Sequence, residues 1–226
     1  MTPETSGPAR STLLLTPPGV YAPQSDTALL ARALQQEDIG PTTDVLDLGT
    51  GSGVLAIQAA RSGARVTAVD VSWSAVLTAR FNALLAGCQV LVRHGDLLAA
   101  IAGHTYDLVV SNPPYVPSPT SRLPRYGRAR AWEGGLDGRA FVNRICASAS
   151  ALLRPRGVLL IVHSTLCGTE ATLRQLVRTG LQASVTERAQ VPYGPVLRSR
   201  RAWLVRQGLC GCAGREELVV IRAERP

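Results

Sequence analysis

Two kinds of hydrophobic pattern alternate along the chain, and their alternation predicts a fold class. Leu29, Leu30, Ala33 and Leu34 recur with the 3.6-residue period of a helix over about residues 25–36. "DVLDLG", residues 44–49, is instead a short apolar run with the length of a buried strand. "SGVLAIQAARSG" then reads as a helix, "ARVTAVD" as a second strand and "SAVLTARFNALLAG" as another helix. "CQVLVRHGD" and "YDLVVSN" supply two more strands, and "GRAFVNRICASASALL" followed by "RGVLLIVHS" a further helix and strand. A helix near residues 169–179, a strand near 183–190, a helix opened by Pro195 and ending near Gly208, and a last strand "EELVVIRAE" complete the series. Strands alternating with helices predict an α/β fold, a parallel sheet with helices on both faces. No repeat or linker interrupts it. The expectation is a flexible Pro-, Ser- and Thr-rich segment over residues 1–18, then one domain over 19–226.

Chemistry enters at the ends of the predicted strands. "LDLGTGSGVLAI" sets Gly49, Thr50, Gly51 and Gly53 between a strand and a helix, where glycine permits a tight turn and close approach to a ligand. A dinucleotide fingerprint needs a further glycine three positions beyond Gly51, and Val54 stands there. Asp47, just before the loop, disfavours a phosphate and suits a cationic ligand such as a sulfonium amino acid. Asp70 closes the second strand, placed to accept hydrogen bonds from two ribose hydroxyls, with Val71 beside it. Asp96, next to Leu97, follows the third and is placed for an adenine amino group. Each acid alone reads as an ordinary strand-end or cap residue. Three at successive strand ends, with the glycine loop, imply S-adenosylmethionine, released as S-adenosylhomocysteine.

"VVSNPPYVPS" ends the fourth strand, because proline cannot donate to a ladder and restrains the residue before it. In this fold class ligands lie beyond the carboxyl ends of the strands, so the loop faces the methyl donor. Asn112 offers a side-chain carbonyl and Pro113 a backbone carbonyl, together able to accept both hydrogens of a planar NH2 group, while Pro114 stiffens the turn and Tyr115 offers a flat face for stacking. The bland alternative is a Pro-Pro turn ending a strand.

Composition narrows the field modestly. An apolar fraction of 46% with 18% charged residues is globular, not disordered. No apolar run approaches the ~20 residues of a membrane span. The first residues lack a basic stretch before an apolar block, so a cytoplasmic protein without a signal peptide is expected. The net charge is +8, and all 24 basic residues are arginine; with the Ala, Gly and Pro richness this reads as coding bias, compatible with nucleic acid without establishing it. Cys88, Cys146, Cys167, Cys210 and Cys212 form no pair of C-x-x-C knuckles, so no metal is expected.

"LDLGTGSGVLAI", "VDVS" and "SNPPY" resemble the HemK/PrmC family of class I S-adenosylmethionine-dependent methyltransferases, which methylates the glutamine of the GGQ motif in peptide-chain release factors. "GVYAPQSDTALLARAL" is similar to the opening of the short eukaryotic and archaeal subfamily that lacks a separate N-terminal helical domain, although Ser25 stands where that subfamily commonly has an acid. "AWEGGLDGRAFVNRI" and "EELVVIRAERP" fit the same subfamily, so the resemblance runs from about Gly19 onward. It implies a Rossmann-like domain with a mostly parallel seven-stranded sheet. It also implies catalysis by Asn112, Pro113 and Tyr115, and a substrate site that adds Pro114, Tyr21, Asp26 and Thr27.

Two stretches carry further expectations. Arg122, Arg125, Arg128 and Arg130, with Tyr126 and Trp132, read as a mobile substrate loop hinged at Gly134, Gly135 and Gly138, or else as a solvated, arginine-inflated loop. In the eukaryotic relatives a small zinc-binding protein adds a strand beside the sheet. Here "CQVLVRHG" would be an edge strand, open to pairing by a partner or a second copy, self-pairing being the more economical. Competing functions are methylation of a nucleobase amine, of a small molecule in a biosynthetic pathway, and a cofactor-binding module without activity.

Overall fold

The structure, a computed structural model, describes residues 14–96, 101, 103–209 and 214–226. Its elements are α1 (Ser25–Gln35), β1 (Asp44–Leu48), α2 (Val54–Arg61), β2 (Arg65–Asp70), α3 (Trp73–Leu85), β3 (Val90–His94), β4 (Tyr106–Ser111), α4 (Ala140–Leu152), β5 (Leu153–Ser164), α5 (Thr169–Arg178), β6 (Gln182–Pro192), α6 (Pro195–Arg206) and β7 (Arg215–Glu224). The strands make one seven-stranded sheet in the order β3-β2-β1-β4-β5-β7-β6. Neighbours run parallel except β7, which is antiparallel to β5 and to β6.

Strand order and register place the site. The chain runs outward from β1 to β3 and then returns to β4 on the other side of β1, so the crossovers diverge between β1 and β4 and leave a crevice there. Leu48 pairs with Ser111, so the segments that follow them, the glycine loop and Asn112, leave the sheet side by side. Leu48 also pairs with Val69, which brings Asp70 to the same end. β1 and β4 are buried along nearly their whole length, which is why they read as unbroken apolar runs.

α1 lies over β5, β6 and β7. Leu29, Leu30 and Leu34 are almost fully buried there, each worth about 1.5–3 kcal/mol by removal from water. That burial holds the first turn of α1, with Asp26 and Thr27, firmly at the mouth of the crevice. Within the segment expected to be flexible, Leu15 makes main-chain hydrogen bonds to the domain. Asn82 of α3 is fully buried and takes the Leu15 N–H at 2.9 Å, while its amide donates to the Leu15 carbonyl at 2.9 Å and to Ser52 at 2.8 Å. Satisfied main-chain groups, not composition, decide where the chain is fixed; residues 1–13 lie outside the described residues.

β5 starts three residues before the expected strand, because Leu153 pairs with Tyr106 ahead of a register shift. β6 runs on to Pro192, tolerated because this is an edge strand.

Candidate active site

Gly49, Gly51 and Gly53 all hold positive φ, at 74°, 55° and 84°. A Cβ at Gly49 or Gly51 would meet nothing within 4 Å, so these two face open space and are required by backbone conformation. Gly53 is different: its Cβ would lie 3.0 Å from that of Ala79, so glycine lets α2 and α3 approach. The loop lines a cleft of about 490 Å³, together with Thr50, Asp70, Val71, Asp96, Asn112, Pro113, Pro114 and Tyr115. Leu97 lies outside the described residues.

The acids take three different positions. Asp47 sits beneath the loop and is not among the residues lining the cleft: its Oδ2 accepts from Thr50 Oγ1 at 2.6 Å and from the Ala56 N–H at 3.2 Å. Its Oδ1 is buried with no protein partner, and burial, reinforced by the charge of Asp70, pushes its pKa up to about 7. Asp70 is on the wall. It accepts the Gly51 N–H at 3.0 Å and the Ser72 N–H at 2.8 Å; burial raises its pKa, against those bonds and nearby Arg130. Asp96 is half exposed and paired with Arg144 at 2.9 Å, so α4 helps to place it. Open glycines and a carboxylate, Asp70, on the cleft wall fit a nucleoside ligand.

Beside the cleft a second group of residues converges on one carboxylate. Asp26, 3% exposed, accepts the hydroxyls of Tyr21 (2.8 Å) and Tyr115 (3.0 Å) on Oδ2, and the Thr27 N–H (2.6 Å) and hydroxyl (3.2 Å) on Oδ1. Burial and the charge of Asp26 push both tyrosines far above the usual phenol range, so both remain donors. Thr27 gives its hydrogen to Asp26 and its oxygen is left to accept, so Asn112 presents its NH2 to Thr27, at 3.2 Å. The Asn112 carbonyl oxygen is thereby left for the cleft. Tyr115, expected only as a stacking surface, has its hydroxyl committed to Asp26.

The two flanks of the arginine-rich stretch are joined by main-chain hydrogen bonds. Val116 donates to Trp132 at 2.8 Å, Gly134 to Val116 at 2.9 Å and Ser118 to Gly135 at 2.8 Å. Gly134 and Gly138 are packing residues: a Cβ on Gly134 would come 2.6 Å from the Gly138 carbonyl, and one on Gly138 would come 2.3 Å from the Tyr115 carbonyl; Gly135 has room and holds a positive φ of 82°. Arg200 pairs with buried Glu133 and donates to the Pro117 carbonyl at 2.8 Å, tying α6 to the same loop. Residues 119–122 and 125–128 are exposed, and Tyr126, Arg128 and Arg130 wall the cleft.

Sequence reasoning missed several wall residues. Pro18, Ser72, Ala75 and Phe141 line the cleft. Glu216, at the start of β7, lines an adjoining cavity of about 570 Å³ that shares Tyr21, Asp26, Tyr115 and Trp132 with the first. The pairing of β7 with β5 and β6 brings Glu216 there, and no local motif announces it.

The strand order, the glycine loop at the β1–β4 crevice and the acids at successive strand ends define a class I S-adenosylmethionine-dependent methyltransferase. A protein of Methanocaldococcus jannaschii, provisionally named a protein N5-glutamine methyltransferase, is 32% identical over 178 residues, covering 78% of this chain and 88% of that one. The chain belongs to the HemK/PrmC-type glutamine methyltransferase family. Residues 11–122 match the methyltransferase small domain. Release factor glutamine methyltransferases of Rhodospirillum rubrum and Xylella fastidiosa are 40% and 39% identical, over 62% and 73% of this chain. The chain spans only 45% and 62% of those two bacterial relatives. Among solved structures, the E. cuniculi Mtq2–Trm112 complex, responsible for methylation of the termination factor eRF1, aligns with a TM-score of 0.66 at 23% identity over 92% of this chain and 99% of that one. The T. thermophilus 16S rRNA N2 G1207 methyltransferase RsmC shares the fold at TM-score 0.58 and 24% identity, over 91% of this chain and 44% of that one.

Asp70→Ala is expected to weaken S-adenosylmethionine binding by about 1.5–3 kcal/mol, the worth of charge-assisted hydrogen bonds, as read by calorimetry. Unchanged affinity would remove Asp70 from the ribose site.

Proposed function

We propose that this chain methylates the side-chain amide nitrogen of a glutamine in a peptide-chain release factor. The observation that carries this reading is the orientation of Asn112, whose NH2 is taken by Thr27 so that its carbonyl oxygen is left as an acceptor. Asn112 and the Pro113 carbonyl accept the two hydrogens of a planar amide and favour the positive charge that develops on its nitrogen. When bound, S-adenosylmethionine supplies an electrophilic methyl group on a sulfonium. Asn112, Pro113 and Pro114 hold the amide in line for attack, and no base acts before transfer. The names of the archaeal and bacterial relatives and of the E. cuniculi neighbour support a release-factor glutamine as the acceptor.

The basic charge is no argument for a nucleic-acid acceptor, since several arginines serve the fold. Arg139 donates to Cys167 at 2.6 Å and to Thr172 at 2.9 Å, Arg200 pairs with Glu133, and Arg222 with Glu37 at 2.8 Å. Incubating the protein with labelled donor, a purified release factor and cell RNA tests the reading. The label is expected on a glutamine, protease-sensitive and nuclease-resistant; label on RNA, or none on the release factor, overturns it.

We also propose that β3 is a partner-binding edge. It ends the sheet, Leu91 is 53% exposed on it, and Trp73, Leu77, Phe81, Leu84 and Leu85 of adjacent α3 are exposed as well. Such an edge self-associates when uncovered. The occupant is a second protein chain, as the E. cuniculi neighbour was solved in complex with Trm112. Isolated protein is expected to self-associate in light scattering, and a Phe81→Arg, Leu91→Arg variant to be monomeric. A wild type that stays monomeric, soluble and active alone would refute the idea.

A further inference from the structure

The adjoining cavity contains one acceptor that the fold does not use. Glu216 is 8% exposed; its carboxylate takes a hydrogen bond from the Ser164 side chain, but Oε2 is buried without a protein partner. The other carboxylate on this cavity, Asp26, is different, since both of its oxygens already receive donors. Pro17, Pro18, Pro192, Pro195 and Leu218 give this cavity much apolar surface with no proline N–H, while Gln24, Ser25, Arg128 and Trp132 put side-chain donors on the same wall. A buried acceptor left unpaired is costly, and the cost is recovered by a ligand that brings a donor. The cavity meets the cofactor cleft at Tyr21, Asp26, Tyr115 and Trp132, beside Asn112, so whatever fills it is continuous with a group held at Asn112.

We propose that this cavity is the subsite for the polypeptide next to the acceptor glutamine, with Glu216 accepting a main-chain N–H of that segment. The proposal rests on the glutamine reading above and names what recognises the flanking residues. A main-chain donor fits better than a cationic side chain. Arg128 already lines the cavity as a positive charge and Asp26 has both oxygens engaged, so Glu216 Oε2 is the carboxylate oxygen left to receive a neutral donor. Small residues beside the glutamine suit such a site, because bulky side chains would compete with the walls.

Binding of a fluorescent peptide with the sequence glycine-glycine-glutamine at its centre, to protein saturated with S-adenosylhomocysteine, tests this without turnover. Glu216→Ala is expected to weaken peptide binding roughly tenfold, the worth of a hydrogen bond to a buried acceptor, when read at about pH 8, since burial pushes the Glu216 carboxyl up to about 7. Its cofactor affinity is expected to stay at the wild-type value, which shows that the variant is folded, since Glu216 does not line the cofactor cleft. Peptides N-methylated at each glycine in turn identify the donor. One of them is expected to bind wild type about tenfold more weakly, with no further loss on Glu216→Ala, as two changes to one contact must show. Equal peptide affinity of wild type and variant, losses that simply add, no binding by wild type, or tighter binding when a glycine is replaced by arginine or lysine would each overturn the subsite. The glutamine reading stands or falls separately, on whether label reaches the release factor.

Discussion

Asn112→Ala is expected to bind S-adenosylmethionine within a factor of about two of wild type and to lose at least roughly 100-fold in kcat. The separation follows from what Asn112 touches. Its side chain reaches Thr27 on one side and leaves its carbonyl oxygen on the cleft, whereas Asp70 and the glycine loop are held by contacts of their own. Calorimetry with the cofactor and single-turnover rates with the unmethylated release factor measure the two quantities independently. A normal rate would mean that the acceptor amide is held elsewhere. A joint loss of cofactor affinity would mean that Asn112 mainly shapes the nucleoside site.

Asp26→Asn is expected to be damaging in both stability and rate. The new NH2 faces groups that are themselves donors, so two buried phenol hydroxyls or the Thr27 N–H and hydroxyl lose their acceptor. At roughly 1–3 kcal/mol for each unsatisfied buried group, the loss is about 2–5 kcal/mol. For a chain of this length that is a fall in Tm of about 5–15 °C. Thr27 then no longer has a fixed hydrogen, its oxygen no longer selects the NH2 of Asn112, and kcat falls with stability. The exposed Arg32–Glu187 pair gives the scale of an ordinary contact: breaking it is worth less than about 1 kcal/mol. A melting temperature and kcat both near wild type would show that the tyrosines and Asn112 are oriented by packing alone.

The sheet elements were legible because hydrophobic period is a local signal. Leu29, Leu30, Ala33 and Leu34 set α1, and the apolar runs of β1 and β4 announce strands buried on both faces. The cofactor side of the site was legible for the same reason, being built from segments that directly follow predicted strands. What stayed hidden depends on contacts between distant parts of the chain. Tyr115 looked like a stacking surface because its partner, Asp26, lies 89 residues away. Gly134 and Gly138 looked like hinges, since composition cannot distinguish a glycine that bends from one that has a carbonyl against its Cα. Leu15 looked mobile because its two main-chain bonds go to Asn82, in a helix that the sequence does not connect to it. Glu216 was one acid among several in the last strand until β6 set it beside the cavity.

Sharing one carboxylate among Tyr21, Tyr115 and Thr27 also bears on how such a sequence drifts over generations. A change of Tyr21 to phenylalanine leaves Asp26 with Tyr115 still donating to the same oxygen, a mild loss that selection tolerates. A change of Asp26 leaves several donors stranded at once, and no single second change repairs them. The acid is therefore the slow member of the group and the tyrosines the faster ones, each free to vary only while the other remains. Descendants of this chain would be expected to lose one tyrosine hydroxyl before they change Asp26.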